Sequence, residues 1–215
     1  MLNGILFGLK KFFSEIGSGD MVILFSSLIL SVTAISGVGF LSDRFQRSIQ
    51  QQASIVLGAE MVFRSGAPIE DRYIQTAELM EIKTAETTSF LTMALTDDGN
   101  ILASIKAVSS AYPLVGNLQV IPEGQSSLNL NFKQPPPSTV WVEQKILEAL
   151  NTKPGELITL GNKSFKITGT LIDFPDRSTG FLSFSPTIIV NETDLDEMGV
   201  IQVGSRVVYR QLYSA

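Results

Sequence analysis

The chain has 215 residues with 21 acidic and 16 basic side chains, a formal net charge of −5, and neither cysteine nor histidine. The acidic balance argues against a nucleic-acid partner, whose phosphates call for a basic patch. Without cysteine or histidine there is no disulfide, no thiolate metal site, no Ser-His-Asp arrangement, and no imidazole to act as general base or metal ligand.

Residues 1–20 form a leader with its own pattern. Leu2, Ile5, Leu6, Leu9, Phe12, Phe13 and Ile16 recur at three- and four-residue steps, with Lys10 and Lys11 beside the stripe. That spacing predicts an amphipathic helix lying in the membrane interface, lysines toward anionic headgroups, in preference to a helix packed on a partner domain. Gly17 and Gly19 then supply a flexible elbow.

The stretch "MVILFSSLILSVTAISGVGFLS", residues 21–42, carries no charge and is closed by Asp20 before it and by Asp43 and Arg44 after it. A bilayer core about 30 Å thick needs roughly 20 apolar residues in a helix, so this run is long enough to span. Its only polar side chains are hydroxyls, which can bond back to their own helix and are tolerated in lipid. A signal peptide with a site at Gly37-Val38-Gly39 fits less well, because the apolar run is too long and starts too late. A soluble core helix would show a polar face, and this one does not. The expectation is a retained transmembrane helix. Its small face, Ser27, Ser31 and Ala34, would let another helix approach closely in lipid. The basic residues near its ends tie, Lys10 and Lys11 against Arg44 and Arg47, so orientation rests on the long segment that follows being translocated.

Residues 43–58 continue the helical spacing as a stalk through Leu41, Phe45, Ile49, Ala53 and Val56, with Gly58 as its C-cap. Residues 59–215 read as one mixed α+β domain. A short strand "EMVFR" precedes a helix from about Glu70 to Glu81, with Glu70 and Asp71 at its dipole's positive end. "TSFLTMAL" and "ILASIKAVS" pair as a hairpin around "TDDGN", whose Asp-Gly and Gly-Asn steps would supply positive φ. "YPLVGNLQVIP" and "SLNLNFK" read as further strands. "QPPPST" is the main punctuation, and a lobe boundary is expected near residues 134–139. "TVWVEQKILEALN" gives a strand entering a helix, and a second hairpin turns at Gly161-Asn162. "FLSFSPTIIVN", a short helix capped by Asn191 or Thr193, and the strand "SRVVYRQLY" complete the domain.

No P-loop and no GxGxxG motif occurs. Glu70-Asp71, Asp97-Asp98, and Asp173 with Asp176 are carboxylates that acid/base chemistry could use, but turn and cap positions make them solvated loop residues. No catalytic residue, cofactor or metal ligand is expected.

Three stretches, "IKAVSSAYPLVG" (105–116), "VWVEQKILEALNTKPGELITLG" (140–161) and "GSRVVYRQLY" (204–213), together resemble the FtsX/MacB-type ABC transporter permeases, and within them the predicted permeases encoded beside lysophospholipase-L1-like genes. So do Leu57-Gly58-Ala59-Glu60 at the stalk's end, Phe90 and Met93, and Pro175-Asp176 before the "FSP" of Phe184–Pro186. The motif residues Gly58, Lys106, Tyr112, Pro113, Leu114, Gly116 and Trp141 read as structural: Lys106 mid-strand, Pro113 and Gly116 shaping a sharp exit, Trp141 in the core.

The resemblance implies a fold and a task. The fold is a leader helix, one span with a stalk, and a MacB-like extracytoplasmic α+β domain. The task is that of a permease in the bacterial inner membrane, its leader cytoplasmic and its domain periplasmic. A cytoplasmic ABC ATPase subunit would drive the domain's movement, for export or extraction of hydrophobic or lipid-like molecules. The family continues into further permease helices, so this sequence is expected to be an N-terminal portion, in contact with those helices and with membrane lipid. Two other readings stand beside it: a single-pass anchored binding or scaffold domain, and an anchored carboxylate enzyme using Asp173 or Asp176.

Overall fold

The computed structural model describes residues 19–129, 132–177, 185–202 and 204–214; within its first helix, side chains are described for 22–45 and for Leu57. The expected leader helix lies outside these residues. The chain divides into two compact units, 1–51 and 52–215, each taken by itself below.

Helix α1, Gly19–Leu57, fills the described part of the first unit and continues into the second. Its segment Val22–Phe45 has a mean hydropathy of 2.1 and is long and apolar enough to cross a membrane. None of that segment is buried against protein, which sets it apart from the core helix of a soluble domain. The hydroxyls bond within the helix itself. Ser26 donates to the Ile23 carbonyl at 2.9 Å, Ser27 to Leu24 at 2.9 Å and Ser31 to Ser27 at 2.8 Å, so the small face satisfies its own polar groups. Gly19 is already helical; of the expected stalk face, Leu41 and Phe45 are exposed, and the side chains of Ile49, Ala53 and Val56 fall outside the described set.

In the second unit the elements are β1 (Met61–Ser65), α2 (Asp71–Leu79), β2 (Lys83–Thr96), β3 (Gly99–Val108), β4 (Gln119–Pro122), β5 (Thr139–Glu143), α3 (Gln144–Ala149), β6 (Leu157–Leu160), β7 (Lys163–Asp173), β8 (Thr187–Asn191), a 3-10 turn Glu192–Asp194 leading into α4 (Leu195–Met198), and β9 (Val208–Ser214). The strands form one nine-stranded sheet in the order β1-β9-β2-β3-β8-β5-β7-β4, with β6 joined to both β2 and β7. That last pairing closes β2-β3-β8-β5-β7-β6 into a cylinder, because Ala94 pairs with Leu160 while Leu160 also pairs with Lys163. Closure removes sheet edges and gives the strands an inside and an outside.

Alternation along each strand sorts the side chains. Phe90, Ile105, Ile188 and Val142 sit in one row across four strands and point inward, packing with Phe165, Ile167, Ile158 and Leu160. The next row, Ser89, Lys106, Ile189 and Trp141, points outward. There a second core gathers Tyr112, Leu118, Val120, Leu171 and Phe174 over Ile189 and Trp141.

Several expectations shift for local reasons. Helix α2 ends at Leu79 rather than Glu81. Glu81 takes φ 59 and donates to the Glu78 carbonyl, while Ile82 donates to Ala77, a left-handed helix stop built without glycine. The β2–β3 turn is Asp97-Asp98 alone; Gly99 already pairs with Thr96, and neither aspartate nor Gly99 takes the expected positive φ. "YPLVG" is not a strand. Tyr112–Pro113 is a cis peptide in a loop, and pairing resumes only at Gln119. In "SLNLNFK" the described residues contribute a single bridge, Asn129 to Val120. The second hairpin turns at Gly161-Asn162 as expected, with Gly161 at φ 62, and the Asn191 side chain caps the short helix by accepting from the Thr193 N–H at 3.1 Å. The proline turn at 134–139 joins strands of one sheet. Pro135 accepts from Asn191 Nδ2 at 2.9 Å, and the Ser138 N–H donates to buried Asp194 at 2.9 Å.

Candidate functional site

Strand β3 reads small and apolar except for Lys106, which alternation places on the outer face under the second core. A lone ammonium there must find an anion or lose its proton. It finds Asp176. Lys106 is 1 % exposed and its Nζ donates to Asp176 Oδ2 at 2.9 Å and to the Asp176 carbonyl at 2.6 Å. Arg210 of β9 donates through Nη1 to the other carboxylate oxygen, so one buried aspartate bridges two strands that are separated by β2. Tyr112 and Phe174 present their faces to the ammonium at 5.1 and 5.2 Å. The Tyr112 hydroxyl donates to the Pro175 carbonyl at 2.8 Å. Residues 174–176 are thus held by three donors from three parts of the fold, and Asp176 adopts φ 57, a left-handed conformation uncommon for a non-glycine residue.

The electrostatics are unbalanced: two cations share one carboxylate. Burial pushes Lys106 down to about 8; Asp176 opposes that shift, and Arg210 and Arg177 add to it. Burial, and then the Asp176 charge, raise Tyr112 well above its usual range, which keeps its hydroxyl a neutral donor. With both carboxylate oxygens already engaged by cations, the arrangement suits holding the loop in place.

The same loop meets the end of α1. Gly58, at φ 69, is buried, and its carbonyl accepts from the N–H groups of Leu114 at 3.1 Å and Val115 at 3.0 Å. A Cβ at Gly58 would lie 3.4 Å from both Cβ and Cγ of Pro175 and 3.7 Å from Asp176. Two residues on, the Glu60 N–H donates to Tyr213 of β9 at 3.0 Å. Gly58 at the exit of α1, the 109–116 loop and the 174–176 loop therefore form one joint, with the ion cluster behind it.

Of the residues singled out in the sequence, Gly58, Lys106, Tyr112, Pro113 and Leu114 come together here, and Gly116 turns the loop at φ 86. Trp141 shares the outer row with Lys106, one strand beyond Ile189, and packs against Phe132 with ring centroids 5.6 Å apart. Ser27, Ser31 and Ala34 belong to the other unit. Asp176 corrects the solvated-loop reading: it is 7 % exposed and doubly paired, whereas Asp173 is exposed and pairs with Arg177 at 3.3 Å. Arg210 was missed. The available signal was the alternation of "VVYRQLY", which puts Arg210 on the face of Val208 and Leu212, where a cation needs a partner.

Comparison with known proteins gives four findings. The MacB-like periplasmic core domain family matches residues 21–212. An uncharacterized ABC transporter permease, YbbP of Escherichia coli (strain K12), is 29% identical over 201 residues, covering 94% of this chain and 24% of its own length. The chain thus spans about a quarter of the curated relative it matches. Among solved structures, the periplasmic region of MacB from Actinobacillus actinomycetemcomitans is similar at 17% identity and TM-score 0.43, over 72% of this chain and 76% of that one. The extracellular domain of the noncanonic ABC-type transporter YknZ from Gram-positive bacteria is similar at 12% identity and TM-score 0.42, over 70% of this chain and 80% of that one.

Proposed function

The chain belongs to the MacB-like periplasmic core domain family, and on that premise we propose that it serves a permease whose periplasmic domain is moved by a cytoplasmic ABC ATPase, so that hydrophobic or lipid-like molecules are exported or extracted. In this reading it sits in the inner membrane with its leader in the cytoplasm, surrounded by lipid and by further permease helices that pack on Ser27, Ser31 and Ala34. The observation that supports it is the joint at Gly58. A helix that only anchored a domain would need no more than a flexible tether after its last turn. Here the chain leaves the helix through a carbonyl gripped by two N–H groups and a glycine seated on Pro175. Behind Pro175, Asp176 ties the loop to β3 and β9. A displacement arriving at Gly58 therefore reaches the sheet instead of being absorbed in a linker.

The test uses the whole permease in native membranes. Affinity capture of the tagged protein should bring down a vanadate-sensitive ATPase. A Gly58→Val variant should keep that ATPase and its hydrolysis while losing movement of a fluorescent lipid-like probe. Capture with no ATPase would put the anchored scaffold first, and unchanged probe movement in the variant would remove the joint from the mechanism.

A further inference from the structure

A second cluster lies on the other face of the sheet, where β1, β9 and β2 extend past the cylinder. Phe63, Gln211 and Glu86 stand directly opposite one another across these strands and share one face. The row continues through Ser109, whose hydroxyl accepts from the Glu86 N–H at 2.9 Å and whose own N–H donates to the Glu86 carbonyl at 3.1 Å. It then reaches Glu192, the residue after Asn191, which is itself in register with Val108. Tyr73 of α2 stacks on Phe63 at 5.9 Å, and Asp71 opens that helix.

This row is electrostatically frustrated. Both carboxylates reach solvent, and their desolvation is only partial: it and then Asp71 raise Glu86, it and then Glu86 raise Glu192, and burial, Glu86 and Tyr73 raise Tyr213. Among the described residues no ion pair involves Glu86, Glu192 or Asp71. The cations of the same three strands, Lys83, Arg64 and Arg210, alternate to the opposite face. Arg72 is spent on Glu70 at 2.9 Å and on the Tyr73 ring. Gln211, in the middle of the row, is 1 % exposed, and neither atom of its amide has a partner. Unpaired like charges beside an unsatisfied buried amide weaken a fold, and such patches persist where a ligand supplies what is missing.

We propose that this row docks a lysine or arginine side chain of a protein partner. Charge complementarity selects a cation. A metal ion fits poorly, since no three carboxylates among the described residues converge closely enough to hold one. An alkyl stem ending in a charge matches the layout: Phe63 and Tyr213 offer apolar surface to the stem, while the exposed carboxylates of Glu86 and Glu192, in the row that holds the buried Gln211 amide, take the head. This proposal is independent of ATPase coupling.

The experiment measures binding of a fluorescein-labelled Gly-Lys-Gly-Arg-Gly peptide to the full chain in phosphatidylcholine nanodiscs, by anisotropy at pH 7.5. The double variant Glu86→Gln/Glu192→Gln should bind about tenfold more weakly. The control Asp97→Asn/Asp98→Asn, which removes as many charges at the β2–β3 turn, should bind within about twofold of the parent. The Glu86/Glu192 variant should melt no lower than the parent, because it relieves repulsion; a loss of binding with that melting behaviour supports the site. Equal weakening by both double variants would leave only general attraction and overturn it. Unchanged binding in the Glu86/Glu192 variant, or competition by free ethanolamine as effective as by the peptide, would overturn it as well.

Discussion

The same four strands carry two adjacent rows that meet opposite demands. Inside the cylinder, Phe90, Ile105, Ile188 and Val142 need only volume, and each contributes by filling space and excluding water. Outside, Ser89, Lys106, Ile189 and Trp141 border a buried ion cluster whose members depend on one another's charge. A packed row degrades by degrees when a side chain shrinks. A charged row fails abruptly when one partner goes, because the desolvation of those left behind is no longer offset. The joint at Gly58 is built on the second kind, so its geometry is held or lost as a unit.

The largest effect expected from this contrast is at Asp176. Asp176→Asn leaves Lys106 and Arg210 buried without a counter-charge and should cost about 3–5 kcal/mol, read from denaturant unfolding. Lys106→Met should cost clearly less, since it leaves a balanced Arg210–Asp176 pair and a side chain of similar length. The reverse order would mean that the ammonium, not the carboxylate, organises the joint.

The next effect is a pH dependence. Lys106 is held at about 8, below its ordinary 10.5, so between those values the unfolded chain binds more protons than the folded one. Stability should therefore rise as pH climbs through that window, by at most about 3 kcal/mol from this group. Tyr112 and Tyr213, both raised, work the other way above their ordinary 10. The difference between parent and Lys106→Met melting curves from pH 7.5 to 9.5 isolates the lysine. A difference that stays flat would show that Lys106 keeps its proton throughout.

Much of this was legible beforehand, for identifiable reasons. Period-2 alternation and turn residues marked β3, β5, β7 and β9, and Gly58 was recognisable as a helix stop because the periodic pattern ends there. Cylinder closure was not legible, since it rests on two register pairs between β2 and β6, which are distant in sequence. In the loop at 109–118, Leu114, Val115 and Leu118 look like a strand, whereas Leu118 and Leu114 pack with Trp141 and Val120 in the outer core. At the site, Lys106 stands out in mid-strand and the alternation around Arg210 carries an overlooked signal, while their carboxylate sits in "FPDRSTG", where composition says solvated turn. Only tertiary contact distinguishes Asp176 from Asp173.

The smallest and sharpest prediction compares Ile188 and Ile189. They are neighbours in β8, both fully buried, and they point to opposite sides of it. Ile188 lies in register with Ile105 in the packed row, and Ile189 with Lys106 in the charged one. Valine at either position removes one methylene and should cost about 0.5–1.5 kcal/mol at pH 7.5. The cost at Ile188 should be the same at pH 9.5, because nothing titratable feels it. At Ile189 the lost methylene thins the apolar wall beside Lys106, eases its desolvation and moves its pKa back up toward 10.5. The stability gained by deprotonating Lys106 at pH 9.5 then shrinks, and the Ile189→Val deficit widens relative to pH 7.5. If the two deficits track each other across pH, the two faces of the sheet respond as one packed core, and the distinction between volume and charge fails at the scale of a single methylene.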